Sequence, residues 1–161
     1  MLATLAEHIL GRFSGDILEM PASSPGFERV CRLIRYYSAI PDRNFLSFTA
    51  YMRIRSEAPF HPALSPLIVK RRSESLSLFL NAIKDAQATG EVREDINSEE
   101  YANVIYEFLL GHVDVRLLNP HATSSQHASA EMFIEMLRAA IVRPRDKRQV
   151  SNSRVAAKRV A

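Results

Sequence analysis

Cysteine is nearly missing from this chain: Cys31 stands alone in 161 residues, so no internal disulfide can form. A lone thiol fits a reducing compartment, and a cytoplasmic location is expected. Glycine is also scarce, five residues against eight Phe and five Tyr, which argues against a loop-rich or fibrous chain. Apolar runs extend over only a few residues, so no membrane span is expected. Glu7, His8, Arg12 and Asp16 interrupt the apolar start and break any signal-peptide core. Chemical motifs are missing too: there is no Gly-rich phosphate loop, no His-Glu-x-x-His and no Cys-x-x-Cys. His8, His61, His112, His121 and His127 include no pair at the i, i+3 or i+4 spacing of a helical metal site. Cys31 sits on an apolar helix face, the setting of a buried, inert thiol. Glu94-Asp95 and Glu99-Glu100 lie at a loop and a helix start, where capping and the helix dipole explain them. No catalytic residue, metal site or cofactor is therefore expected, and the chain does not read as an enzyme.

What is present describes one globular domain. Apolar residues make up 47% and charged residues 24%, which excludes wholesale disorder. The net charge of +3 is unevenly spread. Residues 143–161 hold seven Lys/Arg and one Asp, a net +6, leaving −3 on residues 1–142. The domain is thus expected over 1–142, mildly acidic and unlike a nucleic-acid-binding surface, with 143–161 a solvated basic tail.

Apolar residues recur at three and four, the period of a helix face, along the whole body. The pattern predicts an all-α chain of about six helices. The first covers 2–18, with Leu2, Leu5, Ile9 and Phe13 on one stripe. Ser24 and Pro25 then start a helix carrying Phe27, Val30, Cys31 and Ile34, which Pro41 ends. Asp42 or Asn44 opens a third, with Phe45, Phe48, Thr49 and Met52 on one face. Ala58-Pro59-Phe60-His61-Pro62 is a break. A long spine helix follows from Ser65-Pro66 to Thr89, with Gly90 as a left-handed stop. Asn97 caps the next helix, with Glu100 in capping-box position, and the helix runs to about Leu118. Val113, Val115 and Leu117 alternate with Asp114 and Arg116 in strand fashion, but the capped helix before them outweighs five residues of alternation. A polar loop from His121 to His127 leads to a last helix over 128–142.

Two polar residues interrupt apolar lines. Arg72 lies on the line Leu64, Ile68, Arg72, Leu76, Phe79, Ile83, and His112 on the line Tyr101, Ile105, Phe108, His112, Val115. Each is either a polar anchor of an apolar ligand cavity or an ordinary residue, Arg72 snorkelling to water and His112 bonded within the core. The cavity reading places Phe79, Tyr101, Ile105 and Phe108 around a small, largely apolar ligand, with contributions from Phe13, Tyr37, Phe48 and Met52. The last two helices carry apolar residues on two sides. Leu109, Val113, Leu117, Phe133, Met136, Leu137, Ala140 and Ile141 are expected to face a second copy of the chain, giving a homodimer through a four-helix interface.

The stretch from Ala86 to Ala102, Ala-Gln-Ala-Thr-Gly-Glu-Val-Arg-Glu-Asp-Ile-Asn-Ser-Glu-Glu-Tyr-Ala, closely resembles TetR-type (tetracycline-repressor-like) transcriptional regulators. In their C-terminal domains a long helix ends in Gly-Glu-Leu/Val-Arg-x-Asp. An acidic helix start and an Ala follow, then a Gly about ten residues on, here Gly111. Ala58-Pro59-Phe60-His61-Pro62-Ala63-Leu64 is similar to the family's proline turn before that helix. The resemblance covers about 2–142. It implies a helical effector-binding and dimerisation domain, its pocket among the first four helices and the 98–118 helix, its dimer interface on the last two. Family members begin with a headpiece of roughly 45 residues that carries a helix-turn-helix. Met1-Leu2-Ala3-Thr4-Leu5 looks like an entry onto the helix after it. No DNA-reading helix is therefore expected in this chain, and DNA is a partner only of a protein that includes the headpiece. The alternative is a headless module that heterodimerises with a full-length relative.

Overall fold

A computed structural model describes Thr4, residues 26–119 and residues 123–144, with side chains from 128 onward in the last stretch. The expected helix over 2–18 with Phe13, the Ser24-Pro25 start and most of the basic tail lie outside the described residues. The fold is all-α. Its described helices are α1 (Phe27–Ser38), α2 (Ile40–Arg43), α3 (Phe45–Glu57), α4 (Ser65–Ala88), α5 (Ser98–Leu118) and α6 (Thr123–Ile141), with a 3-10 turn over Ala58–Phe60.

Several boundaries follow from single residues. Asn44, not Asp42, caps α3, its Oδ1 accepting from Ser47 N at 3.3 Å. Asn97 Oδ1 accepts from Glu99 N and Glu100 N at the start of α5. Gly90 stops α4 at φ 75°, as its lack of a Cβ allows. The helix α5 is unbroken through Val113, Val115 and Leu117. Two boundaries differ from expectation. Pro41 does not end α1, which stops at Ser38; Pro41 instead sits in the first turn of α2, where its missing N–H costs nothing. The helix α6 starts at Thr123 rather than 128, because nothing between them, neither Gly nor Pro, breaks the backbone ladder.

The helix α1 is the hub, packing on α4, α5 and α6, while α4 and α5 form the most extensive helix pair. Val30, Cys31 and Ile34 of α1 meet Phe79, Ala82, Ile83 and Ala86 of α4, Ala102, Ile105 and Leu109 of α5, and Ile134, Leu137 and Ile141 of α6. Ala82, Ala86 and Ala102 are fully or almost fully buried, and their small side chains let the helices approach closely.

The loop after α4 fastens this core from outside. A Glu91 carboxylate oxygen accepts from Phe27 N at 2.9 Å, capping α1 from 64 residues away. Gly26, at φ 70°, leaves room for that carboxylate, which a Cβ would strike. Val92 pairs with Val142 in an isolated antiparallel bridge; Arg93 N donates to Ile141 O and Arg143 N to Glu91 O, both at 2.9 Å. Gln87 donates to the carbonyls of Arg93 and Ile96, and Ser98 donates to Gln87 Oε1 at 2.6 Å. Gly-Glu-Val-Arg is thus a clasp that joins the start of α1 to the end of α6.

Candidate functional site

At the opposite end the packing opens. Here α4 turns two polar residues, Arg71 and Ser75, inward. Together with Tyr37, Ile40, Phe48, Tyr51, Tyr106, Leu109, Leu110 and Val113 they bound a small cavity of about 50 Å³. Tyr37 donates its hydroxyl hydrogen to Ser75 Oγ at 3.1 Å, and Tyr51 and Tyr106 are hydrogen-bonded to each other. Burial pushes the Tyr37 and Tyr51 phenols above the ordinary range, so both remain neutral donors at physiological pH. Such a space suits water or a few atoms of a ligand; complete ligand pockets span roughly 300–1,000 Å³.

Beside it a groove of about 810 Å³ runs between α3, α4 and the end of α5. Met52, Ile68, Val69 and Leu117 supply apolar surface; Arg53, Arg55, Arg72 and Asp114 supply charge. Arg72 is exposed, donates to Asn103 Oδ1 at 3.0 Å, and lies 5.7 Å from the centroid of the Tyr106 ring. An ion pair between Arg116 and Asp42 ties α5 to α2; the Arg116 side chain is only 5% exposed. Asp42 lies two residues beyond the cavity-lining Ile40, so the pair braces the same end.

A third feature is apolar and outward-facing. Phe108 of α5 stacks on Phe133 of α6 with ring centroids 3.8 Å apart and planes 7° apart, and Phe108 also stacks on His112. Helical spacing puts Val104, Gly111, Val115 and Leu118 along the Phe108 side of α5, and Met132, Met136 and Ala140 along the Phe133 side of α6. Leu118 is 83% exposed, Met132 and Met136 are each 65% exposed, and Val115 is 58% exposed. His112 Nδ1 lies 3.2 Å from Ser129 Oγ, joining the two helices.

The expected site residues therefore divide. Tyr37 and Phe48 line the cavity; Met52 and Arg72 line the groove. Phe79 and Ile105 are fully buried core, Tyr101 packs against that core, and Phe108 and His112 sit between α5 and α6. Phe79 and Ile105 thus belong to the core and not to the lining of the cavity described above, and His112 stands at the α5–α6 contact. Phe13 lies outside the described residues. Of the expected dimer residues, Leu109, Val113, Leu137 and Ile141 are buried within the single chain, and Leu117 lines the groove. Phe133, Met136 and Ala140 stay on the outward face, joined by Val104, Val115, Leu118 and Met132.

Among the described residues no group of three or more His, Cys, Asp or Glu could hold a metal ion, and no helix is long and apolar enough to cross a membrane. Comparison with protein-family models, with characterised proteins and with solved structures returns no match.

Proposed function

We propose that this chain is the small-molecule-sensing and dimerisation domain of a TetR-type transcriptional regulator. The observation that carries the reading is the outward apolar face around the Phe108–Phe133 stack. Two adjacent helices leave Val115, Leu118, Met132 and Met136 in water, where a second copy would bury them in a four-helix interface. The Gly-Glu-Val-Arg clasp gives the family resemblance a structural reason, since that motif joins the start of α1 to the end of α6. The cavity and groove at the far end of α4 and α5 are the sensing site. Because α5 lines the cavity through Leu109, Leu110 and Val113 and carries the outward face, a ligand that moves α5 changes how two copies meet. In a protein with a headpiece, that movement would alter the spacing of the two DNA-reading helices and release DNA.

Met136→Glu tests the reading. A charge at the centre of the interface is expected to convert a dimer to a monomer without unfolding it, because Met136 contributes little to the single-chain core. Sedimentation velocity reads the change and circular dichroism confirms the fold. Identical sedimentation of the variant and the parent chain would refute the assigned face.

A further inference from the structure

We infer that the groove between α3, α4 and the end of α5 takes an amphipathic organic acid, its anionic head held by Arg53, Arg55 and Arg72. This deepens the sensing reading and rests on it. Most described arginines stand within salt-bridge distance of a carboxylate, including exposed ones such as Arg29, Arg32 and Arg143. Of the four described arginines that do not, Arg43 stacks on the Tyr36 ring, and Arg53, Arg55 and Arg72 all line this one groove. Asn103 gives Arg72 only a neutral amide oxygen, which fixes the guanidinium without neutralising it. Among the described residues Asp114 is the sole carboxylate on the lining, so the groove they form keeps a positive balance.

The rest of the lining sets the other half of the ligand. Met52, Ile68, Val69 and Leu117 offer apolar surface along the groove, and Val69 is left 66% exposed. A head with one negative charge and a flexible hydrocarbon body matches both parts. At about 810 Å³ the groove falls within the range of small-molecule sites, roughly 300–1,000 Å³. A guanidinium left exposed forms a strong, charge-assisted hydrogen bond with a carboxylate, and the neighbouring apolar wall lowers the local dielectric and strengthens it.

The test compares decanoate, below its micelle concentration, with decanol of the same chain length. Binding is read through carbon-13-labelled methionine methyls, since Met52 lies in the groove while Met132 and Met136 lie on the outward face. Decanoate is expected to shift the Met52 signal in a saturable way, at least about tenfold more tightly than decanol, one such factor being worth about 1.4 kcal/mol. Arg72→Gln and the double variant Arg53→Gln/Arg55→Gln are each expected to weaken decanoate about tenfold and leave decanol unchanged. Asp114→Asn is expected to tighten decanoate a few-fold by removing a like charge. Equal binding of decanol and decanoate, or no loss in the arginine variants, would overturn the acid specificity while leaving a sensing cavity. No shift of Met52 with either probe would overturn the site itself. Neither result touches the oligomeric state, so failure of the proposed dimer is recognised separately by mass.

Discussion

The two ends of this helical bundle are built from the same helices and behave oppositely. At the clasped end, α1, α4, α5 and α6 close around Phe79, Ile83, Ile105, Ile134 and Ile141, each fully buried. Backbone hydrogen bonds from the Gly-Glu-Val-Arg loop to the end of α6, and the Glu91 side chain on Phe27 N, tie the start of α1 to the end of α6 there. At the open end, α4 presents Arg71 and Ser75 inward, a cavity remains, and a groove lies beside it with three guanidinium groups that form no salt bridge among the described residues. Apolar side chains even stand in water: Leu46 is 82% exposed and Phe60 is 77% exposed. The lesson lies in α4: Arg71 and Ser75 line a cavity, while Phe79, Ala82, Ile83 and Ala86 further along the same helix are fully buried core.

The sharpest way to break this contrast is to cut the packed end. Phe79→Ala is expected to cost about 3–5 kcal/mol, whereas Tyr106→Phe beside the cavity is expected to cost about 1 kcal/mol. Urea denaturation of both variants reads the difference, and equal losses would erase the distinction between the ends. Next comes the Arg116–Asp42 pair, the main electrostatic brace of the open end. Asp42→Asn leaves a buried guanidinium without its counter-charge and is expected to cost about 3 kcal/mol. Arg116→Met is expected to cost about half that, because the Asp42 side chain is 36% exposed and can turn to water. Equal costs would mean that the pair is not buried as described.

A smaller loss is expected at the clasp. Glu91→Ala removes the cap on Phe27 N and is expected to cost about 1 kcal/mol. Gly26→Ala is expected to cost more, since it combines a strained left-handed backbone with a collision against the Glu91 carboxylate. Thermal denaturation of the two variants side by side ranks them, and a Gly26→Ala chain as stable as the parent would contradict the close approach.

The mildest effect is pH-dependent. Burial pushes the Cys31 thiol up to about 11 from an ordinary value of 9.0. The unfolded chain therefore loses this proton first as pH rises. The thiol's contribution to stability is complete below pH 9 and falls away between about 9 and 11. Cys31→Ser should flatten that alkaline limb, and native Cys31 should resist thiol reagents at pH 8 until the chain unfolds.

Much of the fold was legible in the sequence, because caps and stops are local. Asn97, Gly90 and the Pro66 start of α4 each announce a backbone event within a few residues, and α4 and α5 lie within a residue of where they were expected. The site was less legible, and α4 shows why. The line Leu64, Ile68, Arg72, Leu76 advances four residues at a time, about 400° of rotation per step, so it drifts around the helix by about 40° each time. By Arg72 it has left the buried face, which runs through Arg71, Ser75, Phe79 and Ala82. Using steps of three as well as four would have found Arg71 and Ser75. Leu109 and Val113, expected to face a second copy, are buried within the chain instead, for a different reason. Two apolar sides on α5 announce two partners, but only tertiary contacts tell which side α1 and α4 cover. They cover the side of Leu109 and Val113, leaving Val104, Val115 and Leu118. The Glu91 cap on α1 spans 64 residues, and no local signal reports it.

The proposed association of two copies through the Phe108–Phe133 face is the central claim of the functional reading. Light scattering on the intact chain at micromolar concentration measures it most directly. The expected molar mass is twice 18.2 kDa. A mass of 18.2 kDa, unchanged across a range of concentrations, would contradict it.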